Sequence, residues 1–192
     1  MTSPLRSAPR TVATAVCLLL VAACGGVKPP LDGAVPVITA QGPSLDELTR
    51  GAPLTVVVFF SSHCPCQRAH DDRLRALAAT YAPAGVRFVL VDAEADATPQ
   101  RDEVETKARR YPFPVLANPS GSLADSLGAE YATYTVVLDA QHRVRYQGGI
   151  DSDKQHLTED ARFYLRNALD DLLAGRAPAV PQGKTLGCVL RR

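Results

Sequence analysis

The stretch Leu54-Thr55-Val56-Val57-Val58-Phe59-Phe60-Ser61-Ser62-His63-Cys64-Pro65-Cys66 constrains this chain more than any other. Its apolar and β-branched run predicts a strand buried on both faces. The run ends abruptly in two cysteines one residue apart. A helical pattern follows, with Leu74, Leu77, Ala78 and Tyr81 on one face. The reading is a buried strand that delivers two thiols to the start of a helix. Unpaired N–H groups and the macrodipole at that position favour a thiolate over a thiol.

What precedes this stretch reads as export machinery. Arg6 and Arg10 form a basic start, and Val12 to Ala23 is apolar without an acidic residue. Residues 1–23 therefore read as a secretory signal, too short and wrongly flanked to span a membrane. Val21-Ala22-Ala23-Cys24 resembles a bacterial lipobox. That resemblance implies cleavage before Cys24 and a lipid on its sulfur, giving a protein anchored in the cell envelope. Loss of Arg6 and Arg10 takes the formal net charge from +1 to −1. Lipid and not charge would then hold the protein to a membrane. The absence of a Lys/Arg block argues against a nucleic-acid surface. Of five cysteines, Cys17 leaves with the signal and Cys24 carries lipid, so Cys64, Cys66 and Cys188 remain. An exported compartment permits disulfides, and an odd number leaves one thiol over or lets the pairing exchange.

Residues 24–43 are rich in Gly and Pro and read as a flexible tether. Ser44-Leu45-Asp46-Glu47 fits a capping box that opens a short helix. After the helix expected over 66–82, Val86 to Val91 reads as a second buried strand. Thr98-Pro99 opens a charged helix to about Arg110, with Arg109-Arg110 as its charged end. Asp92 and Glu94 between them read as a solvated loop. Phe113 to Ala117 reads as a short strand and Ser120 to Leu127 as a short helix stopped by Gly128. Tyr134–Leu138 and Arg143–Gln147 form a predicted hairpin. Ser152-x-x-Gln155 reads as a second capping box. It heads a helix with Leu157, Ala161, Leu165, Ala168, Leu169 and Leu172 on one stripe. This order predicts an α/β fold of three layers, a central mixed sheet flanked by helices, over 44–175. Residues 176–192 form a tail without periodicity that carries Cys188.

From Ser44 to Gly175 the chain resembles the thioredoxin-like superfamily, in its exported redoxin/TlpA-like branch. The resemblance rests on Ser44-Leu45-Asp46-Glu47-Leu48, Gly51-Ala52-Pro53, Phe59-Phe60-Ser61-Ser62-His63-Cys64 and Val137-Leu138-Asp139. It implies thiol-disulfide exchange on protein thiols and disulfides, without an organic cofactor, and Cys64 as the attacking sulfur. Several positions depart from the pattern. Cys64-Pro65-Cys66 stands for Cys-x-x-Cys, and His63 stands for a tryptophan. Val58 occupies the place of a buried acid, and Thr133 or Tyr134 that of a cis-proline facing the cysteines. Ser61-x-x-Cys64-Pro65 also resembles the peroxiredoxin pattern, with Val57 in place of that family's proline. Thr185-Leu186-Gly187-Cys188-Val189-Leu190 resembles the Gly-Cys-aliphatic tail of some redoxin-domain proteins.

The residues themselves leave several roles open. His63 either supports a Cys64 thiolate as imidazolium or fills the rim of the site. Cys66 either closes a small strained ring with Cys64, which would be labile, or points inward and never pairs. Cys188 either resolves a bond on Cys64 or Cys66 or is a spare thiol. His70 falls on the helix's inner stripe as a packing histidine. Yet His63, Cys64, Cys66 and His70 together form a soft-ligand set, and a copper-carrying protein is the alternative reading. A tethered binding module without turnover is the third.

Overall fold

The computed structural model describes residues 45–192. The signal at 1–23, Cys24 and its lipid, the tether at 24–43 and Ser44 of the first capping box lie outside the described residues. Helix α1 (Leu45–Thr49) leads into β1 (Leu54–Phe60), whose seven residues are all buried. β1 sits at the centre of a five-stranded sheet in the order β3-β2-β1-β4-β5. It runs parallel to β2 (Arg87–Asp92) and antiparallel to β4 (Thr135–Asp139). β3 (Val115–Ala117) extends the parallel side, and β5 (Val144–Gly148) closes the antiparallel hairpin.

The alternation of side chains along β1 divides the core in two. Val56, Val58 and Phe60 pack against Leu74, Ala78 and Tyr81 of α2 (Pro65–Tyr81) and Leu165, Ala168 and Leu169 of α5 (Tyr164–Leu173). Val57 and Phe59 face the other way, toward Leu123, Ala124 and Leu127 of α4 (Ser122–Leu127) and toward Cys64 and Cys66. Val58, at the position of the expected acid, is plain core. Each fully buried side chain of this size contributes about 1.5–3 kcal/mol. The sheet thus fixes the end of β1, from which the cysteines follow. Helix α3 (Pro99–Ala108) starts as its sequence predicts, with Thr98 Oγ1 accepting from the Arg101 amide at 3.2 Å.

The structure corrects three readings. The Ser152-x-x-Gln155 box heads no helix: α5 begins only at Tyr164, and Leu157 and Ala161 lie on irregular chain. Tertiary partners claim the groups such a helix would need. The Asp153 amide donates to Asp151 Oδ1 at 2.8 Å, and the Thr158 amide to Asp153 Oδ2 at 2.6 Å. Ser152 Oγ accepts from the Arg162 amide at 2.9 Å instead of from its own first turn. Short polar side chains compete with helix in this way.

Asp92 and Glu94 are buried, not solvated. Asp92 accepts from Arg101 Nη2 at 2.5 Å, and Glu94 from Arg191 Nε at 3.2 Å. Burial raises the Asp92 carboxyl above its ordinary range, against the pull of the Glu94 amide and Arg101. Burial, and then the charge of Asp92, pushes Asp102 up to about 7. Arg109 is no exposed helix end. It is buried, meets Asp71 and Glu105, and stacks over Phe60 at 5.0 Å. The tail has no helix or strand, yet it forms a strap with defined backbone partners.

Candidate functional site

Four residues, Ser61 to Cys64, separate β1 from α2, and they form a tight turn. The Cys64 amide donates to Ser61 O at 3.2 Å, and the His63 amide to Ser61 Oγ at 3.3 Å. Arg109 Nη2 donates to Ser62 O at 3.0 Å and props the turn from below. Cys64 is the N-cap of α2, with extended φ and ψ of −84° and 115°. Pro65 occupies the first helical position, where its missing N–H costs nothing. Cys64 and Cys66 are both buried, at 1% and 0% exposure.

Cys66 faces a different set of neighbours. Gln155 Nε2 lies 3.7 Å from its sulfur, and its carbonyl accepts from His70 Nδ1 at 2.8 Å. The other nitrogen of His70 faces Asp151 Oδ1 at 3.1 Å, and Asp151 also accepts from Arg73 at 2.6 Å. Burial opposes a charged His70, but the bonds to Asp151 and the Cys66 carbonyl outweigh it, and its pKa is raised. With an acceptor on each ring nitrogen, the imidazolium is the form that satisfies this pocket.

On the opposite side the tail crosses the cysteines. The Ala132 amide donates to Cys188 O at 2.8 Å, and the Leu190 amide to Glu130 O at 3.0 Å. Between them Tyr131 and Val189 form an antiparallel bridge. Leu190 is buried in the same core cluster as Cys64. Gly187 approaches the Ala132 carbonyl so closely that a Cβ would lie 1.7 Å from its oxygen. The result places Cys188 Sγ 2.6 Å from Cys64 Sγ. Burial first, then Cys64 and Cys66, push the Cys188 thiol up to about 12.

Thr133 stands beside Gly187, at the start of β4, and is held at φ +70°. That is a rare conformation for a β-branched residue. Its amide donates to Phe59 O at 2.8 Å, and the Phe59 amide to Tyr134 O at 2.8 Å. Those bonds extend the β1–β4 ladder to the edge of the site. Tyr134 OH donates to Gln147 Oε1 at 3.0 Å. No cis peptide occurs among the described residues.

Among the described residues, the sulfurs of Cys64, Cys66 and Cys188 all lie within 4.8 Å of one another. The ligand set His63, Cys64, Cys66 and His70 is not assembled. His70 spends both nitrogens on Asp151 and the Cys66 carbonyl. His63 points outward toward Asp96, 3.8 Å away, in a group with Glu94. Nothing local in the sequence marks Gln155, Asp151 or Arg73 as neighbours of the cysteines. Asp151 and Gln155 follow β5 in a stretch that reads as a helix start, and Arg73 reads as one more charged residue of α2.

A mixed sheet with helices on both faces, and cysteines at the junction of its central strand and the next helix, define the thioredoxin-like class. The chain belongs to the Redoxin family, which it matches over residues 40–161. The strap and Cys188 lie beyond that match. A protein from Geobacillus kaustophilus, titled an uncharacterized conserved protein, superposes with a TM-score of 0.74 at 26% identity, over 85% of this chain and 92% of its own. A hypothetical protein from Sinorhizobium meliloti gives 0.72 at 27% identity, over 85% and 95%. A Chlorobium tepidum protein titled as a thiol:disulfide interchange protein, DsbE, gives 0.52 at 21% identity, over 62% and 84%, and supports the fold alone. No curated protein matches the chain.

Proposed function

We propose that this chain is a thiol-disulfide oxidoreductase of the cell envelope, anchored by lipid on Cys24 after loss of residues 1–23. Residues 24–43 serve as its tether, 44–175 as the thioredoxin-like domain and 176–192 as a tail that completes the site. The observation that carries the reading is the 2.6 Å approach of Cys188 Sγ to Cys64 Sγ. Two thiols this close exchange readily between dithiol and disulfide, whose bonded distance is about 2.05 Å. Cys64 stands at the N-cap of α2, at the positive end of that helix. Cys66 is the third thiol, within reach for internal exchange. Polypeptide thiols and disulfides are the substrates.

The experiment is peptide mapping of the air-oxidised protein without reductant, followed by disulfide-transfer and insulin-reduction assays on wild type and Cys64→Ser. A mapped Cys64–Cys188 bond and a loss of at least about 100-fold in the variant are expected. Free Cys188 in oxidised protein, with no activity that depends on Cys64, would falsify the proposal.

A second reading, copper carriage, is favoured by the convergence of three sulfurs, a donor set that suits Cu(I). It takes Cys188 in place of the two histidines. Protein reduced without oxygen and titrated with Cu(I) against a chelator decides it. Binding of one ion that is lost in Cys188→Ser supports it, and no binding ends it.

A further inference from the structure

The three sulfurs differ in access. Cys64 and Cys66 are sealed at 1% and 0% exposure, whereas Cys188 is partly exposed on the strap. The strap packs against them. It lies along Glu130 to Ala132 through backbone bonds at 2.8 and 3.0 Å, and the Ala95 amide donates to Arg191 O at 2.9 Å beyond it. Leu190 fills the core beside Cys64, and Gly187 admits the close approach.

An attacking thiolate displaces a disulfide along the sulfur–sulfur axis, from behind the sulfur it attacks. Cys64 is buried within the cluster that holds Phe59, Leu116 and Leu123, which leaves no room for an incoming thiolate. Cys188 packs against the edge of the same cluster and is partly exposed to solvent. From this geometry we infer that Cys188, and not Cys64, is the sulfur that incoming polypeptide thiols attack, so that the protein donates its disulfide outward through its tail. The inference rests on the exchange function proposed above and gives it a direction.

A cysteine thiolate of the polypeptide attacks Cys188 Sγ. The Cys188–Cys64 bond breaks, and its electron pair leaves with Cys64 as thiolate. A second thiol of the polypeptide then attacks its own sulfur in the mixed disulfide and expels Cys188, which takes up a proton. The polypeptide loses two electrons and gains a disulfide, and the protein gains two thiols. Once reduced, Cys188 is held above the ordinary thiol range by burial and its neighbours and stays protonated, and so does not itself open a disulfide on a partner.

The test uses the full chain with its Cys64–Cys188 bond formed and mapped. It is mixed with a reduced synthetic peptide bearing two cysteines, quenched in acid during the first turnover, and the adduct is located by peptide mapping. The peptide is expected on Cys188, with on the order of ten-fold less on Cys64. An adduct mainly on Cys64 overturns the inference and leaves the exchange function standing. A mapped bond that the peptide never reduces overturns both. The variant Gly187→Val displaces the strap and should move the adduct toward Cys64. An unchanged adduct on Cys188 in that variant, with Cys64 newly open to alkylation, overturns the argument from access.

Discussion

Two segments without regular secondary structure reach the cysteines from opposite sides, and they are held by different physics. The segment after β5 brings Gln155 to Cys66 and is fixed by buried charge. Asp151 is 1% exposed at its side chain and takes both His70 and Arg73. The strap brings Cys188 to Cys64 and is fixed by backbone hydrogen bonds, one buried leucine and ion pairs near its end. The Arg192–Asp125 pair there is largely open to water, with Asp125 70% exposed. Buried charge is costly to separate, whereas backbone bonds at an edge open locally. The contrast assigns Cys66 a static neighbourhood and Cys64 a releasable one.

The sharpest way to break this contrast is Asp151→Ala, which strands the buried His70 and takes one partner from the half-buried Arg73. A loss of about 3–5 kcal/mol is expected in urea unfolding. The loss depends on pH. His70 has a raised pKa, so its contribution is full below its ordinary value and fades as pH rises through the folded value. Asp151 is lowered, despite burial, by His70 and Arg73, and its contribution fades as pH falls through that value. The difference between variant and wild type should therefore be widest between about pH 4 and 6.5. A gap that is flat across pH would remove His70 from the account.

Leu190→Ala comes next. It removes the strap's apolar anchor at a cost of about 2 kcal/mol, expressed as local opening. Hydrogen exchange at the Ala132 and Leu190 amides should quicken roughly 30-fold, with little change in the core strands. A matching acceleration in β1 would mean that the strap is part of the global fold and not a separate latch. The smallest effect belongs to Arg192→Ala. Its exposed pair should contribute at most about 0.5 kcal/mol, as read by the same exchange experiment. A larger loss would make the strap's hold electrostatic after all.

The legible and illegible parts of this chain divide along similar lines. The run from Leu54 to Cys66 announced its strand, its turn and its helix because burial on both faces and proline at the helix start are local signals. The sheet followed from the order of elements. Cys188 was visible as a third thiol, but nothing local showed that Gly187 lets the tail lie against Ala132. Glu94 and Arg109 carry charge, and charge reads as solvated until a distant partner such as Arg191 or Asp71 supplies the reason for burial. Ser152 and Gln155 met the pattern of a helix start, yet Asp151 and Asp153 diverted the local hydrogen bonds. Side chains that satisfy a backbone group nearby and those that satisfy one far away leave the same mark on the sequence.

The positions of Cys64 and Cys188, 124 residues apart, carry one more consequence. A covalent link across that span encloses nearly all of the described chain, and restricting so long a loop in the denatured ensemble is worth about 5 kcal/mol in the chain-entropy view. Each disulfide given away would therefore slacken its donor. Resistance to heat and to proteases would register whether a molecule is loaded or empty, and discarded copies would be those that had just acted.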